Sequence, residues 1–280
     1  YQPVSYKLDS KLGTEAEFKN MIKQCNAVGV DIIADVVLNQ TTGADVADGK
    51  QTGVAGTEYN GSTGDYPGFA TEQYPEGITA SDFHSCSKNI SNYANQQEVQ
   101  ECRLSSMWDF DSESEKVQDI QSDYLAALWN AGVRGFRMDA VKHIHTDSMR
   151  AIKEKFAKKI GVNADSIYWI QEVIGNSSEA AGIQPSNYVQ NGTVTEFGFK
   201  SEMNQTFKDK IANLKGLNER LSKDLASEDA NVFVTNWDTA RNEGALTYKD
   251  GAKYQLANAF MLAYDYGTPR LLSDYKWDEN

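Results

Sequence analysis

The stretch "GFRMDAVKH", residues 135–143, sets Arg137 and Asp139 two positions apart in an apolar run that otherwise has the composition of a buried strand. Upstream, Ser112 and Glu115 stand in capping-box spacing. Val117, Ile120, Tyr124 and Leu128 then form one helical stripe, and Gly132 ends it. A helix feeding a short buried strand is the repeating unit of a parallel α/β sheet.

The unit recurs on both sides. Thr14 and Glu17 open a helix over residues 14–28, with Phe18, Met21, Ile22 and Cys25 in line and Gly29 as its stop; "DIIADVVL" (31–38) follows as a strand. A helix over 147–160, carrying Met149, Ile152, Phe156 and Ile160, precedes the strand "YWIQEVI" (168–174). Further strands are expected at "TVTEFG" (193–198), "NVFVTNW" (231–237) and the apolar run "ANAFMLAY" (257–264).

About 70 polar residues separate the first strand from the helix at 112, too long for a plain loop in a compact domain. They read as an inserted subdomain, 41–108, between barrel parts at 1–40 and 109–280. So polar a segment is expected to hold little core of its own. Cys86 and Cys102 lie within it at a separation that a disulfide can close, leaving Cys25 at a helix-core position without a visible partner.

The formal charge of −13 and pI near 4.7 disfavour nucleic acid and other polyanions, because the summed field repels phosphates. No apolar run approaches the roughly 20 residues that span a bilayer, and "YQPVSYKL" lacks the pattern of a signal segment. No Gly-rich phosphate loop follows a strand. Neutral or cationic ligands remain open.

Strand parity then selects the chemistry. Asp35, Val37 and Asn39 share one face of the first strand; Gly135, Arg137 and Asp139 share one of the second; Tyr168, Ile170 and Glu172 one of the third; Asn236 and Asp238 one of the fourth. Acids at the carboxyl ends of parallel strands are where ligand sites form. A lone strand-end Asp is more often a structural ion pair or loop cap. Asp139, Glu172 and Asp238 together suit glycoside chemistry, in which one carboxylate attacks the anomeric carbon and a second carboxyl protonates the leaving oxygen. Arg137 would favour the ionised form of Asp139. The apolar neighbours Tyr168, Trp169, Ile170 and Ile174 would favour the protonated form of Glu172.

"DVVLN", "GFRMDAVKH", the Glu of "QEVI" and "FVTNWD" resemble, in order and spacing, the four signature regions of the α-amylase family of glycoside hydrolases. The likeness covers nearly the whole chain and is strongest to the animal-type, chloride-dependent α-amylases and their bacterial members. It implies a (β/α)8 TIM barrel and retaining hydrolysis of internal α-1,4-glucosidic bonds in starch. Asp139 then matches the nucleophile, Glu172 the general acid/base and Asp238 the acid that holds sugar hydroxyls. Tyr1, as a stacking platform, Gln2, Asp35, Gln40, Arg137, Lys142, His143 and Trp237 match substrate contacts.

The resemblance also implies a calcium site, from the side chains of Asn39 and Asp109 and the backbone carbonyls of Gln100 and His143. Arg137, Asn236 and Arg270 match a chloride site, with activity expected to rise on adding chloride. A secreted, monomeric parent protein is implied, with an α-glucan as partner and no nucleic acid or membrane. Two positions depart from the pattern, since Gln40 and Trp237 stand where histidines bind sugar. Counting strands, the chain reads as a truncated barrel without the first two strands and the C-terminal β domain; Cys25 would then pair upstream. A transglycosylase or α-glucosidase of the same family is an alternative. So is a non-catalytic carbohydrate-binding or interaction protein on the same fold.

Overall fold

The computed structural model describes residues 1–221, 225–241 and 244–273. Tyr1–Glu172 with Ser177–Ile183 form one compact unit; Val173–Asn176 and the residues from Gln184 onward form a second.

In the first unit, α1 (Glu15–Ala27) begins at the capping box: the Thr14 hydroxyl accepts from the Glu17 N–H, and the Glu17 carboxylate accepts from the Thr14 N–H at 2.8 Å. It leads into β1 (Ile33–Val36). The segment that follows holds β2 (Gln40–Gly43), the two-residue strands β3 (Gln51–Thr52) and β4 (Glu58–Tyr59), α2 (Gln96–Glu101) and β5 (Met107–Asp109). After it come α3 (Glu115–Asn130), β6 (Gly135–Met138), α4 (Thr146–Ile160) and β7 (Tyr168–Gln171). β1, β6 and β7 lie parallel, with Asp35 opposite Arg137 and Arg137 opposite Ile170. α3 packs on α4, and both bury apolar residues, among them Leu125 and Leu128 of α3 and Met149, Ile152 and Phe156 of α4.

The cap of α3 differs from expectation. Ser114 is the N-cap residue and makes no side-chain cap bond, while the Ser112 hydroxyl donates to the Glu113 carboxylate at 3.0 Å. The helix therefore starts at Glu115 itself rather than three residues before it.

The segment 41–108 also has more core than its composition suggests. Tyr66, Phe69, Ile78 and Phe83 are buried in one cluster with Phe110, Val117 and Ile120, so sparse aromatics in polar chain pack against the flank of α3. Their rings meet largely edge to face: Phe69 and Phe110 lie 5.8 Å apart at 87°. Cys86 and Cys102 are bonded, and Cys25 is free. The bridge closes a loop of sequence separation 16. Replacing both cysteines by serine is expected to cost about 2–4 kcal/mol through the freedom returned to the unfolded chain. Chemical denaturation measures it; a loss below about 1 kcal/mol would mean that the aromatic cluster holds the segment alone.

In the second unit, β8 (Thr193–Glu196) runs into α5 (Phe197–Asn204); α6 (Leu217–Leu221), β9 (Ala230–Phe233), α7 (Ala252–Ala263) and β10 (Thr268–Arg270) follow. β8, β9 and β10 are parallel, with Thr195 opposite Asn231 and Asn231 opposite Thr268. The run 257–264, expected as a strand, is instead most of α7 and the residue after it. It has no β-branched residue, and its buried positions Ala257 and Met261 are four apart, the spacing of a helix face. The strand that does form begins four residues after the run, at Thr268, just past Gly267. There φ is +73°, and a Cβ would stand 2.6 Å from Val232 Cγ1 and 3.0 Å from the Ala230 carbonyl. Glycine is what lets β10 approach β9.

Candidate active site

β6 carries the centre of the site. Its register places Asp35 beside Arg137, and parity turns Asp139 to the same side at the strand's carboxyl end. Arg137 is buried and reaches three carboxylates. Nη1 lies 2.9 Å from Asp35 Oδ1 and 2.6 Å from Asp139 Oδ1, and Nη2 lies 2.8 Å from Glu172 Oε1. Burial opposes the guanidinium charge, but Glu172, Asp35 and Asp139 outweigh it and hold Arg137 more firmly protonated than a free arginine. The opening pair is thus part of a four-residue charge cluster in which Asp139 and Glu172 share one cation.

Glu172 differs from expectation. It meets the Arg137 guanidinium and accepts the Ala140 N–H at 3.0 Å, instead of lying against purely apolar neighbours; Tyr168 and Ile174 are partly exposed. Ala140 adopts the left-handed conformation (φ 51°, ψ 35°), which costs a non-glycine residue about 1–3 kcal/mol. The strained turn is clamped from both sides, because the Val141 N–H also donates to the Glu172 carbonyl at 3.0 Å. Asp139 and Glu172 are thereby positioned by one turn.

Around this centre, Lys142 is buried, ion-paired with Glu179, and lies 5.5 Å over the Tyr93 ring. His143 donates from Nδ1 to the Val99 carbonyl at 3.0 Å, and burial lowers its pKa to about 4, so the ring is neutral. Tyr1 and Gln2 are exposed. Gln40 is buried and its amide donates to the Tyr1 carbonyl at 3.0 Å. One of the two Gln40 N–H groups is therefore used within the chain.

The four residues of the implied calcium site are all buried. Asp109 Oδ2 is taken by His84 Nδ1 at 2.7 Å, while the buried Oδ1 and Asn39 Nδ2 make no hydrogen bond of normal length among the described residues, although Asn39 stands close enough to favour the Asp109 carboxylate. Burial pushes the Asp109 carboxyl up to about 7 despite its contact with His84. A buried carboxylate oxygen without a donor fits a hard cation. The segments bearing Gln100 and His143 are strapped together by the His143–Val99 bond and by Gln100 Nε2 to the Ile144 carbonyl at 3.3 Å.

In the second unit, Asn236, Trp237 and Asp238 follow β9, all half-buried, and Arg270 ends β10. Asn236 Oδ1 accepts from the Thr239 N–H at 2.8 Å, capping the turn at Thr239–Arg241 that presents Asp238.

Sequence reasoning missed Glu179 and Tyr93 around Lys142, and His84, Glu113 and His145 near Asp109. They lie in irregular segments and reach their partners across long stretches of chain, so neither period nor spacing marks them.

Residues 4–269 match the family model described as "Alpha amylase, catalytic domain". The chain is 40% identical over 280 residues to an α-amylase of Thermomonospora curvata, covering 99% of this chain and 43% of that protein. It is 36% identical to the α-amylase of the scallop Pecten maximus, covering 100% and 56%. α-Amylase I of the earthworm Eisenia fetida superposes with a TM-score of 0.87 at 34% identity, covering all of this chain and 57% of that structure. The chain spans about half the length of the curated relatives it matches. The signature acids, the match across residues 4–269 and the similarity to bacterial and animal enzymes place this chain in the α-amylase family, within its catalytic domain.

Proposed function

We propose that this chain carries the reaction centre of a retaining α-amylase that cleaves internal α-1,4-glucosidic bonds in starch and related glucans. The observation that carries the reading is the buried Arg137 joining Asp139 to Glu172. Asp139 attacks the anomeric carbon as the glycosidic bond breaks, and Glu172 protonates the departing oxygen. Glu172 then takes a proton from the water that releases the sugar from Asp139. Asp238 holds the sugar hydroxyls, a role that rests on its motif. Tyr1, Gln2, Lys142, His143 and Trp237 contact the glucan; an Eisenia fetida structure similar to this chain is of a maltohexaose complex.

Asn39 and Asp109 side chains with the Gln100 and His143 carbonyls would hold calcium, which supplies charge to neutralise the buried Asp109. Arg137, Asn236 and Arg270 would bind chloride. The parent protein acts outside the cell as a monomer; among the described residues, no helix is long and apolar enough to cross a membrane.

Release of reducing ends from soluble starch tests the reading, with calcium present and chloride varied. Activity should rise as chloride is added; a flat response sinks the chloride assignment. Transfer to sugar acceptors in place of water would favour a transglycosylase. One observation favours a non-catalytic reading, the buried Gln40, one of whose two amide N–H groups is held by the Tyr1 carbonyl. Glucan binding without turnover would support it.

A further inference from the structure

His84, Asp111 and Glu113 bring three metal-ligating atoms within 4.8 Å of one another, and none of the three belongs to the Arg137 cluster. His84 Nε2 lies 3.1 Å from Glu113 Oε2 and 3.8 Å from Asp111 Oδ1. A tetrahedral ion with bonds of about 2.0–2.2 Å spaces its ligand atoms about 3.3–3.6 Å apart, so these side chains need only small adjustments to share one.

The atoms behind them carry the argument further than the trio alone. A metal-bound imidazole characteristically donates its other N–H to a carboxylate, and metal-bound carboxylates are themselves hydrogen-bonded. Both supports are built here. His84 Nδ1 is 2.7 Å from Asp109 Oδ2, which leaves Nε2 as the coordinating nitrogen. The Ser112 hydroxyl donates to Glu113 Oε2 at 3.0 Å, and His145 Nε2 lies 3.0 Å from Glu113 Oε1 as an ion-pair contact rather than a hydrogen bond. The His84 N–H also donates to the Asp109 carbonyl at 3.0 Å, fixing the residue from its main chain. The His84 side chain is 12% exposed, whereas those of Asp111 and Glu113 are 38% and 46% exposed, so an ion can enter from solvent.

We propose that His84 Nε2 and the carboxylates of Asp111 and Glu113 form a binding site for a borderline divalent ion of the zinc type, with water completing the shell. The nitrogen ligand separates it from the implied calcium set, which offers only oxygens. Two carboxylates balance the ion's charge. Asp109 links the two sites, holding His84 through Oδ2 and leaving Oδ1 for calcium.

The test is titration of the chain with zinc chloride in saturating calcium, followed by calorimetry and by counting bound zinc after dialysis. One zinc per chain is expected. Glu113→Gln and Asp111→Asn, both at part-exposed positions, should each weaken it more than about tenfold, and His145→Gln about 10–100-fold as the loss of a supporting partner. Circular dichroism checks that the variants are folded. No bound zinc, or zinc held equally by Glu113→Gln and Asp111→Asn, overturns the proposal and leaves the cluster as an imidazolium paired with its carboxylates.

Discussion

Asp139→Asn should cut starch hydrolysis by at least about 10³-fold while leaving the fold as stable as before, or slightly more so. The activity loss follows from chemistry: an amide cannot form the glycosyl ester that divides the reaction into two easier steps. The stability expectation follows from the site. Three carboxylates meet one guanidinium, two of them in a largely buried setting, so like charges crowd around it. The Asn carbonyl still accepts from Arg137 Nη1, and one like-charge repulsion is removed. Activity is read by reducing-end release and stability by thermal midpoint. Residual activity within tenfold of the parent would move the nucleophile elsewhere, and a lower midpoint would mean that Asp139 serves the fold before the reaction.

Arg137→Met should be the most damaging single change to stability, costing about 3–5 kcal/mol. Removing one partner of a buried ionic cluster leaves the others charged and uncompensated. The Arg137 side chain is 4% exposed and faces Asp139 at 7% and Glu172 at 13%, so little water can replace it. Arg137→Lys should fall between the two. Its ammonium keeps the charge but cannot set separate nitrogens against Asp139 and Glu172 at once. Denaturant unfolding measures both variants. A cost below about 1 kcal/mol for Arg137→Met would be that of an exposed pair and would contradict the buried cluster.

Much of this was readable in the chain because the deciding features are local. Strand parity alone put Arg137 and Asp139 on one face, and register then brought Asp35 to the same cation. The capping box at Thr14 and the α1, α3 and α4 stripes formed much as spacing indicates, except for the shift of the α3 cap to Ser114. α7 was misread since a short apolar run fits a buried strand and a buried helix alike. The setting of Glu172 was misread for a different reason. Sequence neighbours suggested an apolar pocket, but its contacts come from a different strand and from a left-handed turn at Ala140 that no residue pattern announces. The same holds for Gln40, whose partner is a backbone carbonyl 39 positions away, and for His84, which meets Asp109 and Glu113 through loops.

Retaining hydrolysis at this site requires Asp139 to form the covalent bond to sugar. A fluorinated α-glycosyl fluoride, which forms that ester readily and hydrolyses it slowly, should add one glycosyl mass to the intact chain, and peptide mapping should place it on Asp139. An adduct on another residue, or none at concentrations that saturate binding, would contradict the assignment.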